Sequence, residues 1–265
     1  MAFRIIGSSL AKSVWLEGLG APTAHRLLAW EQAQADALLG DVFGYHALQV
    51  GWPALEALRN NRIPHGWTAC TEFEASQDVL VPEADRTQAQ LWMDSRTWPW
   101  PADSLDLVVL PHTLEQSSDP HACLREVERV LIPEGQVFIT GLNPLSFWGW
   151  RQRRWIRRQA QNAMPNPPAG QLVGYQRLRD WLRLLGFEVQ ISRFGGWTPA
   201  FESEKWVNRW AALDRVGPRW WPILGGVYLI VATKRVAGGR LLSSKPWRAV
   251  RSPAASTAPV VRSDA

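Results

Sequence analysis

The chain has 265 residues, a formal net charge of +5 and 46% hydrophobic residues, enough apolar content for a packed core and too much for a disordered chain. The modest net charge hides a split: residues 1–140 carry 9 Lys and Arg against 18 Asp and Glu, and residues 141–265 carry 20 against 6. Cys70 and Cys123 form no CxxC pair, which argues against a disulfide framework and a zinc cluster. The sequence has no apolar run of the roughly 20 residues a membrane helix needs and no signal-peptide pattern, so a cytoplasmic location is expected.

In chain order, Leu27, Leu28, Trp30, Ala35, Leu38 and Leu39 fall at helical spacing and predict a helix over 23–39, within an N-terminal helical segment of residues 1–39. A short apolar run, His46–Val50, predicts a first strand that Gly51 stops. Pro53 then stands at a favoured first helical position, predicting a second helix through Asn60. Further strands are expected at Trp67–Glu72, Gln88–Met93 and Ser104–Leu110. Asp119 and Pro120 make an N-cap and first-turn pair for a helix through Leu131, with Cys123, Leu124, Val127, Val130 and Leu131 on one face. Pro133-Glu134-Gly135 turns the chain into a fifth strand, Gln136–Thr140. Strands alternating with helices predict an open, mostly parallel α/β sheet.

The second half differs in character. Residues 144–160 are basic and aromatic. On a helix, Leu145, Trp148, Trp155 and Ile156 gather on one side, and Arg151, Arg153, Arg154, Arg157 and Arg158 spread over the other. Such a helix packs with a solvated arginine face, closes over an anionic substrate, or meets anionic lipid or RNA. Residues 164–171 read as a loop, and Gly174–Leu185 as an amphipathic helix closed by Gly186. Phe187–Arg193 alternates like a strand, Phe201–Leu213 has helical spacing, and Gly225–Lys234 is a last strand. Trp181, Trp206, Trp210, Trp220 and Trp221 are expected to be packing residues. Residues 236–265 read as a disordered basic tail.

The stretch from Asp94 to Thr140 carries a set of phrases in order. Asp94 ends the third strand, followed by the turn Trp98-Pro99-Trp100-Pro101. Then come Asp103-Ser104-Leu105-Asp106-Leu107-Val108, His112-Thr113-Leu114-Glu115-Gln116 with Asp119-Pro120, and Leu124-Arg125-Glu126-Val127-Glu128-Arg129-Val130-Leu131-Ile132-Pro133-Glu134-Gly135. This closely resembles the middle of class I S-adenosylmethionine-dependent methyltransferases, type 11 group; weaker resemblance extends over residues 40–235. It implies a Rossmann-like sheet of about seven mostly parallel strands with helices on both faces. It also implies S-adenosylmethionine as cofactor and a substrate-side insertion at 142–173.

Ligands of such sheets sit at the carboxyl ends of the strands. The resemblance assigns Asp94 to the adenine amino group, with Ser95 beside it. His112 lies beyond the fourth strand, near the cofactor's methionine portion or the substrate. Without the family, Asp94 reads as a cap for Ser95–Arg96, and Glu115 and Glu126 as structural, capping or pairing with Arg125 or Arg129. The acid that grips the ribose hydroxyls in the family corresponds to Glu72 or Glu74, about twenty residues after Gly51. The departure is at the first motif. Only Gly51 remains of its glycines, Gln49 stands in place of the acid, and Trp52-Pro53 replaces the open loop, so that Trp52 either floors a modified pocket or fills it.

These features predict a methyltransferase of unknown, anionic acceptor. Gly51, Glu72, Asp94, Ser95 and His112 are the cofactor residues, and Asn143, Trp148, Arg151 and Arg154 lie on the substrate side. No metal site is expected. Asn143 also reads simply as a turn former. The rival expectation is a methyltransferase-fold protein without catalysis, binding anionic lipid or RNA through its basic Trp/Arg face.

Overall fold

The computed structural model describes residues 18–71, 90–161, 171–200, 209–210 and 213–235. Glu72, Glu74, residues 1–17, nearly all of the 164–171 loop, most of the Phe201–Leu213 stretch and the tail after 235 lie outside the described residues.

Helix α1 (Ala21–Leu39) leads into β1 (His46–Val50), β2 (His65–Thr71), β3 (Gln90–Met93) and β4 (Leu105–Pro111). The short α2 (Thr113–Gln116) and α3 (Pro120–Val130) follow, then β5 (Leu131–Leu142), α4 (Phe147–Gln161), α5 (Tyr175–Leu184) and β6 (Phe187–Gly195). The chain finishes with α6 (Leu213–Trp220), a 3-10 turn (Pro222–Leu224) and β7 (Val227–Lys234). The seven strands form one sheet in the order β3-β2-β1-β4-β5-β7-β6. All neighbours up to β5 are parallel, and β7 lies antiparallel between β5 and β6. The order reverses between β1 and β4, so their carboxyl ends define the switch point of the sheet.

Helices cover both faces. On one, Leu27, Ala35 and Leu39 of α1 and Trp148 of α4 pack on Ala47, Leu107, Val109, Phe138 and Leu229. On the other, Cys123, Leu124, Val127 and Val130 of α3, with Leu178 and Leu182 of α5, pack on Leu48, Val108, Val137 and Ile139. The α3 stripe is the one the sequence predicts, and Asp119 Oδ1 accepts from the Ala122 N–H, 3.0 Å away, as its N-cap.

Three expectations need correction. Residues 53–60 form turns and no helix. The Gln49 side chain takes over this backbone: Nε2 donates to Leu55 O (2.6 Å) and Trp52 O (3.3 Å), and Oε1 accepts from the Ala57 N–H (3.1 Å). Those groups are pinned to strand β1, while Trp52 O also accepts from the Leu55 N–H, 3.1 Å away, in a single turn. Second, Pro133-Glu134-Gly135 does not separate α3 from a new strand. It sits inside the longer β5 as a bulge where the register with β4 jumps from Leu105–Leu131 to Leu107–Gln136, with Glu134 at φ 67°. Third, α4 starts at Phe147, so Leu145 precedes it and is exposed instead of sharing the packed side.

The last strand is fastened by Lys234. Its Nζ donates to Asp103 Oδ1 (2.9 Å), Glu128 O (2.7 Å) and Leu131 O (2.8 Å), closing the carboxyl end of α3. Lys234→Met leaves these carbonyls without their donor. It is expected to lower the unfolding free energy by about 1–3 kcal/mol in urea titrations.

Candidate functional site

The switch point is built from two backbone irregularities that touch. After β1, Gly51 takes φ 81° and Trp52 φ 36°. After β4, His112 takes φ 55°. A left-handed φ is strained for a bulky side chain, and such strain persists where surrounding contacts enforce it. Here the contacts are mutual: the Trp52 indole, 2% exposed, stands edge-on to the His112 imidazole with ring centres 5.3 Å apart. Thr113 Oγ1 donates to Val50 O and ties the two strand ends together. The Gly51 N–H is bonded to Ala69 O, 2.8 Å away.

Both nitrogens of His112 face carboxylates. Nδ1 lies 3.0 Å from Glu115 Oε2 and Nε2 lies 2.8 Å from Glu31 Oε1, with His112 and Glu31 wholly buried. Glu115 Oε1 also accepts from the Leu142 N–H, which ties in the end of β5. Burial opposes a charged imidazole, but the negative charges of Glu31 and Glu115 outweigh it and raise the His112 pKa to about 10. His112 is therefore an imidazolium donating both protons. Burial pushes the Glu115 carboxyl upward, against the pull of the His112 charge. Around this cluster several buried polar atoms have no hydrogen-bond partner among the described residues: Glu31 Oε2, Thr140 Oγ1 near the end of β5, and both amide atoms of Gln116 in α2.

At the end of β3, Asp94 is partly exposed and held by Arg96, whose backbone N–H lies 2.8 Å from Oδ1 and whose Nη2 lies 2.9 Å from Oδ2. The Arg96 side chain and backbone hold its carboxyl below the usual range. Asp94 thus caps its own turn while an edge stays open to solvent. Ser95 is buried, with Oγ 3.0 Å from Ser117 Oγ. Glu126 pairs with Arg129, and together they hold the Trp98–Trp100 turn: Glu126 accepts from the Trp98 N–H, and Arg129 donates to Trp98 O and Trp100 O.

The structure gathers Gly51 and His112 at one point and places Asp94 and Ser95 at the end of β3, two strands away from β1. It draws three of the four substrate-side residues into the framework. Asn143 Nδ2 donates to Ile223 O and Gly225 O. Trp148 Nε1 donates to Thr198 O, and its ring lies so close to Gly196 and Gly226 that a Cβ on either would come within 2.5 Å of it. Arg151 clasps Gly18 O (2.6 Å) and Ala200 O (2.9 Å). Arg154 is exposed, its guanidinium 5.8 Å from the Trp150 ring centre.

Glu31 went unrecognised in the sequence. The available signal was its place at i+4 from Leu27 and i−4 from Ala35, on the packed face of α1, where a carboxylate demands a buried partner. Among the described residues no group of His, Cys, Asp and Glu is arranged to hold a metal ion, and no helix is long and apolar enough to cross a membrane.

Strand order, switch-point geometry and the Asp94–Gly135 motifs define a class, and comparison agrees with it. A family model described as "Methyltransferase domain", type 11, matches residues 56–139. Over residues 56–139 the chain is a type 11 methyltransferase domain, and its fold is that of the class I S-adenosylmethionine-dependent methyltransferases. Its particular kin include an Escherichia coli (strain K12) protein, "Uncharacterized protein YafS", 33% identical over 195 residues that cover 73% of this chain and 70% of that protein. Among solved structures it is similar to a Thermotoga maritima S-adenosylmethionine-dependent methyltransferase, described as a possible histamine N-methyltransferase. That similarity has a TM-score of 0.56 at 15% identity and covers 85% of this chain and 95% of that one. An Archaeoglobus fulgidus S-adenosylmethionine-dependent methyltransferase gives 0.54 at 16%, covering 78% and 94%. At these identities the structures speak for the fold alone. The matched stretch begins after the Gly51-Trp52 turn, the place where this chain leaves the family pattern.

The residues present fit S-adenosylmethionine in part. The ends of β3 to β5 suit it: Asp94 offers a partly exposed acceptor, and the unpartnered Glu31, Gln116 and Thr140 atoms are suited to a polar, cationic ligand. The β1 turn does not suit the family's usual seating, because the Trp52 indole fills the corner that glycines leave open.

Proposed function

We propose that the protein is an S-adenosylmethionine-dependent methyltransferase acting on an anionic acceptor, with the cofactor seated between the ends of β3, β4 and β5. The observation that carries this reading is the set of unpartnered buried polar atoms on Glu31, Gln116 and Thr140. Native folds seldom leave such atoms unsatisfied without a ligand, ion or water to meet them. Two carboxylates against one imidazolium also leave negative charge where the cofactor is cationic. When bound, the cofactor supplies an activated methyl group. Asp94 receives the adenine amino group, with Ser95 beside it and Glu72 on the ribose. Glu31 and Glu115 balance the cationic end, and His112, enclosed by both, fixes their positions. Arg154 with its neighbours on α4 favours an anionic acceptor.

A second reading is favoured by Trp52: the fold kept as a binding scaffold with its cofactor corner filled. Calorimetric titration with S-adenosylmethionine and with its demethylated product separates the two. The enzyme reading expects saturable heat from both. Silence at about 1 mM ligand, where even binding of about −4 kcal/mol registers, removes it and leaves the scaffold.

A further inference from the structure

We infer that the protein docks on the surface of an anionic phospholipid bilayer through an aromatic ridge at the start of α4. Leu145, Phe147 and Trp150 on one side and Trp220, Trp221 and Ile223 on the other are each between 50% and 70% exposed. The sequence expectation that Trp220 and Trp221 are packing residues is therefore corrected. The framework presents the two groups side by side. Asn143, two residues before Leu145, donates to Ile223 O (2.6 Å) and Gly225 O (3.0 Å), while Trp197 Nε1 holds Trp221 O (2.9 Å). The Phe147 and Trp150 rings lie 5.8 Å apart. An exposed apolar cluster of this kind marks a contact surface rather than a solvated one.

Charge selects the occupant. Helix α4 contains Arg151, Arg153, Arg154, Arg157 and Arg158 and no acid, and the last four are exposed. Exposed Arg215 and Arg219 lie on α6, whose one acid, Asp214, accepts from the Trp197 and Thr198 N–H groups and pairs with Arg26. Indoles and aliphatic tips backed by arginines match the boundary between acyl chains and anionic headgroups. There rings sit at headgroup level and guanidinium groups meet phosphate. A second copy would bring arginines against arginines. RNA would leave Leu145 and Ile223 without a stacking role. The inference does not depend on whether cofactor binds.

The test is co-sedimentation of the full chain with phosphatidylcholine vesicles, and with vesicles containing about one-third phosphatidylglycerol, at low salt and at about 0.15 M salt. Binding is expected to the anionic vesicles only and to weaken with salt. Arg153→Gln/Arg154→Gln/Arg157→Gln/Arg158→Gln should weaken it by about fivefold per arginine at low salt. Phe147→Ser/Trp150→Ser/Trp221→Ser should weaken it at least ~10-fold and abolish quenching of tryptophan emission by brominated acyl chains. Because these side chains face solvent, far-UV circular dichroism should be unchanged. The proposal is overturned by equal binding to neutral vesicles, by no vesicle binding in the unaltered protein, or by retention of a single-stranded RNA with vesicles ignored. A dimer that the aromatic variant dissolves would also overturn it. The vesicle and salt series on the unaltered chain decides the matter even if a variant fails to fold.

Discussion

A His112→Gln variant is expected to lose about 3–5 kcal/mol of unfolding free energy at neutral pH, because it strands two carboxylates in a site that excludes water. The pH dependence identifies the cause. In the folded chain His112 holds its proton up to a pKa of about 10, against 6.5 ordinarily. The native state therefore binds the extra proton, and the stabilisation is complete below pH 6.5 and disappears as pH rises through 10. The upward shift of Glu115 acts in the same direction, since a carboxyl that keeps its proton longer in the native state also loses stability as pH rises. Urea unfolding of the unaltered chain should thus show stability falling across that alkaline window, and the variant should lack the histidine part of the slope. Glu31→Gln added to His112→Gln should recover part of the loss by removing one of the stranded charges. A loss equal at every pH, with the slope unchanged, would mean that the three side chains merely fill space.

Trp52→Gly is the second large effect. Removing a buried indole costs about 3–5 kcal/mol, but glycine relieves the left-handed backbone at φ 36°, which offsets about 1–3 kcal/mol of it. The net result is a moderately less stable protein with the corner beside His112 opened. If the indole stands where the family's glycines admit the methionine portion, the variant should bind S-adenosylhomocysteine at least ~10-fold more tightly than the unaltered chain, or about 1.4 kcal/mol. The ligand should then also raise its melting temperature more. Equal affinity in both proteins would place the cofactor away from Trp52. Binding seen only in the variant would favour the scaffold reading of the natural sequence.

What the sequence made legible follows the range of the interactions. Helix α3 was readable because its N-cap, first-turn proline and apolar stripe lie within a dozen residues. The Gly186 stop after α5, at φ 82°, was readable for the same reason. The turns at 53–60 were not, since local preference pointed to a helix and the deciding agents were two distant amides, Gln49 on β1 and Gln32 on α1. Asn143, Trp148 and Arg151 have the residue types of a binding face, and nothing in the sequence says that backbone carbonyls consume them. The family phrases located the strand ends correctly while leaving open that Glu126 and Arg129 serve the turn at 98–100. Least legible was Glu31, because its partner lies 81 positions away.

That separation also has a consequence in time. As the chain emerges during synthesis, α1 exists long before β4, and Glu31 has only water for company until His112 arrives. The cost of closing so long a loop has to be met by contacts already formed, so the Glu31–His112 contact is expected to form only once β4 has paired with β1. The carboxylate of Glu31 is made early and is expected to meet its partner late.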